Sequence, residues 1–328
     1  MSINLSRVKD LMSASLEAYD QRFDQNNEPY SNLVPITNVK FLGKSKTNFT
    51  IQGFYGESTN KKTLYIVYRG TDAKISEWLP SLSPAMQSVQ RQPFENRIFD
   101  SNRNYLENPI SLRIQVAEER IIKNANDWDP ITDPVRRDAK IRKDFRKGIL
   151  NLIDNAKIHK RYWLMYTNEG VKQQVHDIIR NSPQPYDEIV ITGHSLGGAL
   201  AIICAWDVFT EFPEYDGNII CVPFGNPRAC NKELAQLLRY CIPDLHRFVY
   251  GNDALAKLLP RIFGIRHAGI FYHIGPKKRV RLFTRLEQHG PQTYNNLISN
   301  CQNWDDLNAI IIDWNWEEIK SLINKYVW

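Results

Sequence analysis

Apolar residues recur at two spacings along the chain, and the switches between them mark its elements. Near the start, Val8, Leu11, Met12, Leu16 and Tyr19 fall three or four positions apart, so residues 1–25 predict an amphipathic helix. The stretch "VKFLGKSKTNFTIQGFYGES" then reads as a hairpin, and "TLYIVYRGT" is a continuous apolar run of strand length ending in charge and glycine. From about Ile75 to Ile158 no comparable run occurs; the chain there is first rich in Asn, Arg, Gln and Pro, then charged and helical. Helical spacing returns in "KRYWLMYTNEGVKQQVHDIIRNS", which predicts one helix. Next come a strand running straight into an apolar helix, "YDEIVITGHSLGGALAIICAW", a strand in "GNIICVPFGNPRACN", a helix in "NKELAQLLRYC" and a strand in "LHRFVYGND".

Apolar strands alternating with helices of ten or more residues predict a mostly parallel sheet covered on both faces, the α/β class. The economical organisation is a single domain over 1–328, with residues 80–157 inserted as a lid or cap over one end. The C-terminal piece "NWDDLNAIIIDWNWEEIKSLINKYVW" carries four of the eight tryptophans and is expected to pack over the sheet-covering helices or the cleft.

Composition narrows this picture only modestly. At 328 residues, 42% hydrophobic and 24% charged, the chain can bury one substantial core. No basic start leads into an apolar leader, and no apolar run is long enough to span a bilayer, so a cytoplasmic or peripheral membrane location is expected. The five cysteines, Cys204, Cys221, Cys230, Cys241 and Cys301, are odd in number and lack metal-like clustering; they read as buried thiols of a reducing compartment. The net charge of +6 is uneven, with seven basic residues against two aspartates between Arg136 and Lys147. That run reads first as a solvated helix face and second as a contact with an anionic membrane. Nothing beside it resembles a nucleic-acid recognition module.

The chemistry concentrates at Gly193-His194-Ser195-Leu196-Gly197, where one serine stands between two glycines at a strand-to-helix bend. This is the G-x-S-x-G nucleophile elbow, in which a strained turn lifts a hydroxyl into a cleft. Serine needs a histidine to take its proton and a carboxylate to orient that histidine, and in the α/β-hydrolase arrangement they follow in the order Ser, Asp, His. Asp253 suits the acid because it follows the apolar strand "RFVYG" at its carboxyl end. Asp216 lies in the surface-like turn "PEYDGN", and Asp244 precedes a strand. His246 enters a strand at the wrong end and His273 sits inside an apolar run, which leaves His289 ahead of His267 as the base. The Leu196 N–H, at the start of a helix, is a candidate oxyanion donor.

The segments "YIVYRGT", "ITGHSLGGALA", "VPFGNPRACN", "FVYGNDALAKLLP", "FGIRHAG" and "HGPQTY" together resemble the class 3 lipase family, over about residues 40–75 and 158–300. The resemblance implies an α/β-hydrolase fold and a triad of Ser195, Asp253 and His289, with His267 outside it. It also implies Thr71 of "YRGT" as the second oxyanion donor, beside Leu196. By the same resemblance "DAKISEWLPSL" is a lid with Ile75, Trp78 and Leu79 on one side, and residues 80–157 lie beyond the family's common core. His159 of "IHKRYW" is retained, with Arg161 where the family usually has glycine. The implied activity is hydrolysis of acylglycerols or glycerophospholipids through an acyl-enzyme, needing no metal or organic cofactor. The alternatives are a small-ester, lysophospholipid or thioester hydrolase, and a lipid-binding protein that kept the fold without the activity. Oligomeric state is not legible in the sequence.

Overall fold

The computed structural model describes residues 3–19, 36–43, 53–71, 84–89, 143, 147–168, 170–257, 261–275, 288–307 and 310–312. The expected lid, most of the 80–157 insertion, the basic run apart from Lys143 and Lys147, and residues 313–328 lie outside them.

Eight strands form the main sheet, in the order β1 (Ile36–Leu42), β2 (Gly53–Ser58), β3 (Thr63–Tyr68), β6 (Glu188–His194), β7 (Ile219–Phe224), β9 (His246–Tyr250), β11 (Ile270–Ile274) and β12 (Ile310–Ile312). A smaller sheet is ordered β10 (Ile265–Arg266), β8 (Cys230–Asn231), β5 (Lys157–His159) and β4 (Met86–Ser88). In the main sheet β3, β6, β7, β9 and β11 run parallel; β1 and β2 are antiparallel additions at one edge and β12 at the other. The helices are α1 (Leu5–Glu17), α2 (Lys160–Asn168), α3 (Val171–Arg180), α4 (Leu196–Glu211), α5 (Lys232–Cys241) and α6 (Pro291–Asn300), with a helical run at 147–155.

The two-residue period of a strand explains why the central strands read as continuous apolar runs. Leu64, Ile66 and Tyr68 of β3 join Ile189 and Ile191 of β6 in a core under α2 to α5, while Tyr65, Val67 and Val190 face the opposite core with α1 and α6. A strand covered on both sides has no polar face to show. This is the arrangement of an α/β-hydrolase fold.

Helix α1 begins at an N-cap, where the Asn4 side chain accepts the Ser6 N–H at 2.8 Å, and it buries Val8, Leu11 and Met12 as the spacing predicts. The single helix expected over "KRYWLMYTNEGVKQQVHDIIRNS" is instead two. The chain turns between α2 and α3 through Gly170 at φ +74°, a left-handed conformation that ends a helix. Helices α2, α3 and α4 are tied together at buried Asp207 of α4, which accepts from Tyr166 of α2 at 2.7 Å, His176 of α3 at 2.6 Å and Lys172 of α3 at 2.8 Å. Burial pushes the Asp207 carboxyl up, but the His176 and Lys172 contacts outweigh it and hold it below its usual value. All five cysteines are buried, and none is joined in a disulfide.

At the far edge, Trp304 stacks on Phe248 of β9 and packs on Tyr272 of β11, and the "III" that follows pairs as β12 with β11. The described part of the C-terminal piece therefore completes the sheet. Among the described residues no helix is long and apolar enough to cross a membrane.

Candidate active site

At the carboxyl end of β6 the backbone must reverse into α4 within one residue. Ser195 makes that turn with φ +58° and ψ −126°, a strained conformation for a residue with a side chain. The Ser195 N–H donates to the Phe224 carbonyl of β7 at 2.9 Å, which pins the elbow to its neighbour strand. The flanking glycines are required by contact. A Cβ on Gly193 would stand 2.6 Å from the Gly197 backbone, and one on Gly197 would stand 2.3 Å from the Tyr68 carbonyl oxygen. Gly197→Ala must therefore displace backbone, and we expect it to cost about 1–3 kcal/mol or more, the range for overpacking a dense interior. Urea unfolding checks this, with Gly148→Ala as a near-neutral control because nothing lies within 4 Å of the Cβ it would add.

The structure brings Ser195, His289 and Asp253 together from three separate segments. The Ser195 hydroxyl hydrogen-bonds His289 Nε2 at 2.7 Å, and His289 Nδ1 donates to Asp253 at 2.9 Å to Oδ2 and 3.1 Å to Oδ1. All three residues are buried. His289 precedes α6, and Asp253 lies three residues beyond β9. The Leu255 and Ala256 N–H groups donate to Asp253 Oδ1 at 2.8 and 3.3 Å, and the Tyr294 hydroxyl of α6 donates to Oδ2 at 2.6 Å. Burial, then the Asp253 charge, push the Tyr294 phenol well above its ordinary value, so it remains a donor. Every face of the carboxylate is thus occupied by a donor that fixes its plane toward the imidazole.

The other candidates fall elsewhere. His267 Nε2 hydrogen-bonds the Ala256 carbonyl at 2.8 Å, and His273 Nε2 the Gly251 carbonyl at 2.8 Å. His246 contacts the Tyr272 hydroxyl and Asp244, which lies before β9. Asp216 precedes β7 at the opposite end of the sheet, and it is buried where its sequence reads as a surface turn. Leu196 is the first residue of α4, where a helix geometry provides no intrahelical acceptor for its N–H. Thr71 follows the segment 68–70, which crosses directly over the elbow: a Cβ on Gly70 would stand 2.8 Å from the His194 carbonyl oxygen.

Two groups beside the site were not singled out from sequence. The Tyr19 hydroxyl, just beyond α1, hydrogen-bonds His194 Nδ1 at 2.8 Å, and the His194 ring lies 4.7 Å from that of His289. Their separation of 175 positions leaves no local signal. Burial, then the His289 charge, depress the His194 imidazole well below its ordinary 6.5, with an interaction at the His289 backbone opposing. His194 is therefore neutral in the fold and protonated more readily when unfolded, so its contribution to stability is full above about pH 6.5 and is lost as pH falls below it. The slope reaches about 1.4 kcal/mol per pH unit for one proton. His194→Gln should show a shallower fall in unfolding free energy between about pH 6.5 and 5; equal slopes in denaturant melts would contradict it.

A family model described as lipase (class 3) matches residues 65–263, more than half of the chain and from β3 through the Asp253 loop. The chain belongs to the class 3 lipase family. Among curated relatives, it is similar to the lipase of Rhizopus niveus, 23% identical over 236 residues that cover 70% of this chain and 44% of that protein. It is also similar to the lipase of Rhizomucor miehei, 27% identical over 161 residues covering 48% and 41%. The chain thus spans less than half the length of these two relatives. Among solved structures, the mono- and diacylglycerol lipase of Aspergillus oryzae shares the fold, with a TM-score of 0.57 and 16% identity over 95% of this chain and 87% of that one. Among the described residues of this class 3 lipase family member, no group of three or more His, Cys, Asp or Glu side chains is placed to hold a metal ion.

Proposed function

We propose that the protein is a serine ester hydrolase acting on acylglycerols or glycerophospholipids. The observation that carries this reading is the unbroken hydrogen-bonded row from the Ser195 hydroxyl through His289 to Asp253 at a strained strand-to-helix turn. Ser195 Oγ attacks the ester carbonyl as its proton passes to His289 Nε2. Asp253 holds the imidazole in the tautomer with Nδ1–H and stabilises the imidazolium that forms. The negative charge on the carbonyl oxygen is met by the N–H of Leu196 and by the N–H and hydroxyl of Thr71, each donor contributing about 3 kcal/mol to the transition state. His289 then protonates the departing alcohol, activates water for attack on the acyl-enzyme, and returns the proton to Ser195 as the carboxylic acid leaves.

The substrate class is supported by the family and by the acylglycerol named for the Aspergillus oryzae protein of the same fold. Residues 80–157 act in this reading as a lid or cap inserted in one hydrolase domain, and the protein meets its substrate at a membrane periphery. A hydrolysis screen over mono-, di- and triacylglycerols, glycerophospholipids, lysophospholipids and short soluble esters tests it. Fatty-acid release from an acylglycerol or glycerophospholipid is expected. Turnover of short esters or thioesters alone would replace the reading by a small-ester hydrolase, and no turnover of any ester would leave a lipid-binding protein.

A further inference from the structure

Buried apolar side chains dominate the described residues, and only three large ones are exposed. Two of these are neighbours: Ile262 at 85% and Phe263 at 52% exposure. They belong to a single 3-10 turn, Arg261–Phe263, in the loop that leaves β9 and carries Asp253. Exposing both to water forgoes the burial that drives folding everywhere else in the molecule, and an apolar patch on an otherwise well-packed protein marks a surface that meets something apolar.

The base of this loop is held firmly. The Leu255 and Ala256 N–H groups donate to Asp253, and His267 Nε2 hydrogen-bonds the Ala256 carbonyl across the two arms. Arg228 Nη1 donates to the Lys257 carbonyl at 2.6 Å, and Ile265 and Arg266 pair with Asn231 and Cys230 of β8. Beyond this clasp the chain turns back at Gly264 with φ +76°. The exposed apolar turn thus runs directly into a segment held by these contacts.

Charge selects the apolar partner. Residues 254–269 include Lys257, Arg261 and Arg266 and no aspartate or glutamate, and Lys257 is exposed. An exposed apolar turn in a loop that carries three cations and no acid matches a surface with hydrocarbon beneath a layer of anionic phosphates. We propose that the 261–264 turn is a membrane anchor, inserting Ile262 and Phe263 between the headgroups of an anionic glycerophospholipid bilayer with the cations of the loop at the phosphate level. Because the tip and Asp253 share one loop at the carboxyl edge of the sheet, docking there brings the Ser195 edge to the lipid. The purpose of the anchor rests on the ester-hydrolase reading; the binding itself does not.

The test uses the full chain carrying Ser195→Ala, so that vesicles survive, in co-sedimentation with vesicles of equal parts phosphatidylcholine and phosphatidylglycerol and with phosphatidylcholine alone. The unaltered tip should partition more strongly onto the mixed vesicles, and this preference should shrink as salt is raised. Adding Ile262→Ser with Phe263→Ser should lower partitioning on the mixed vesicles by roughly tenfold or more, as expected for withdrawing two apolar side chains from lipid. The thermal unfolding midpoint should hold, since both side chains are exposed. Lys257→Gln with Arg261→Gln should instead lower the preference for the anionic vesicles by roughly tenfold while leaving partitioning onto phosphatidylcholine unchanged. Undiminished partitioning of the folded Ile262→Ser, Phe263→Ser protein, or no partitioning of the parent, would overturn the anchor. Turnover of a short soluble ester by the unsubstituted protein reads the hydrolase separately. Binding without turnover sinks the hydrolase and leaves the anchor, and turnover without binding does the reverse.

Discussion

Ser195→Ala and His289→Ala are each expected to lower kcat for ester hydrolysis by about a millionfold, and the double variant to be little worse than either alone. The reason is mechanical. In the proposed mechanism the 2.7 Å contact between the Ser195 hydroxyl and His289 Nε2 couples attack to proton removal, so losing either partner would lose the whole step. What remains is turnover from the oxyanion donors and binding, about a thousandfold to ten-thousandfold over water. The outcome that counts against the account is a double variant whose loss is the product of the two single losses, measured by kcat on one soluble ester. Such multiplication would mean that the two residues act in independent steps.

The second large effect is expected at Asp253. Asp253→Asn should reduce kcat by about ten-thousandfold while the fold persists, because an amide in place of the carboxylate stabilises the wrong imidazole tautomer. Asp253 accepts from two backbone N–H groups, Tyr294 and His289. The new NH2 therefore also faces donors, and a modest loss of unfolding free energy, about 1–3 kcal/mol for a misplaced buried donor, should accompany the kinetic loss. Asp244→Asn should leave kcat within a small factor, since Asp244 sits before β9 and contacts His246. If Asp244→Asn or Asp216→Asn gave the inactivation and Asp253→Asn did not, the acid would be misassigned.

The legible parts of this molecule are those where physics leaves few choices. β3 and β6 are buried on both faces, so they appear as unbroken apolar runs. The elbow is visible because Gly193 and Gly197 stand where another backbone occupies the space of a side chain. The position of Asp253 near the elbow could be read because a residue just past the carboxyl end of a central strand lies at that edge of the sheet. Legibility ends where an element is short or a contact is distant. β4, β5, β8 and β10 hold two or three residues each, too few for any periodicity, and they exist because they pair with one another. The break between α2 and α3 depends on one glycine inside an otherwise helical pattern. Tyr19 meets His194 only because α1 packs against the end of β6, which tertiary structure decides.

The central claim is that Ser195 is an activated nucleophile, and a fluorophosphonate probe tests it most directly. The probe reports nucleophilicity whatever the natural ester is. After reaction with the folded protein and proteolysis, peptide mass spectrometry should locate the phosphonate on Ser195 alone, with labelling abolished in Ser195→Ala and strongly slowed in His289→Ala. Labelling of another residue, or no labelling of Ser195 in the folded protein, would contradict the account.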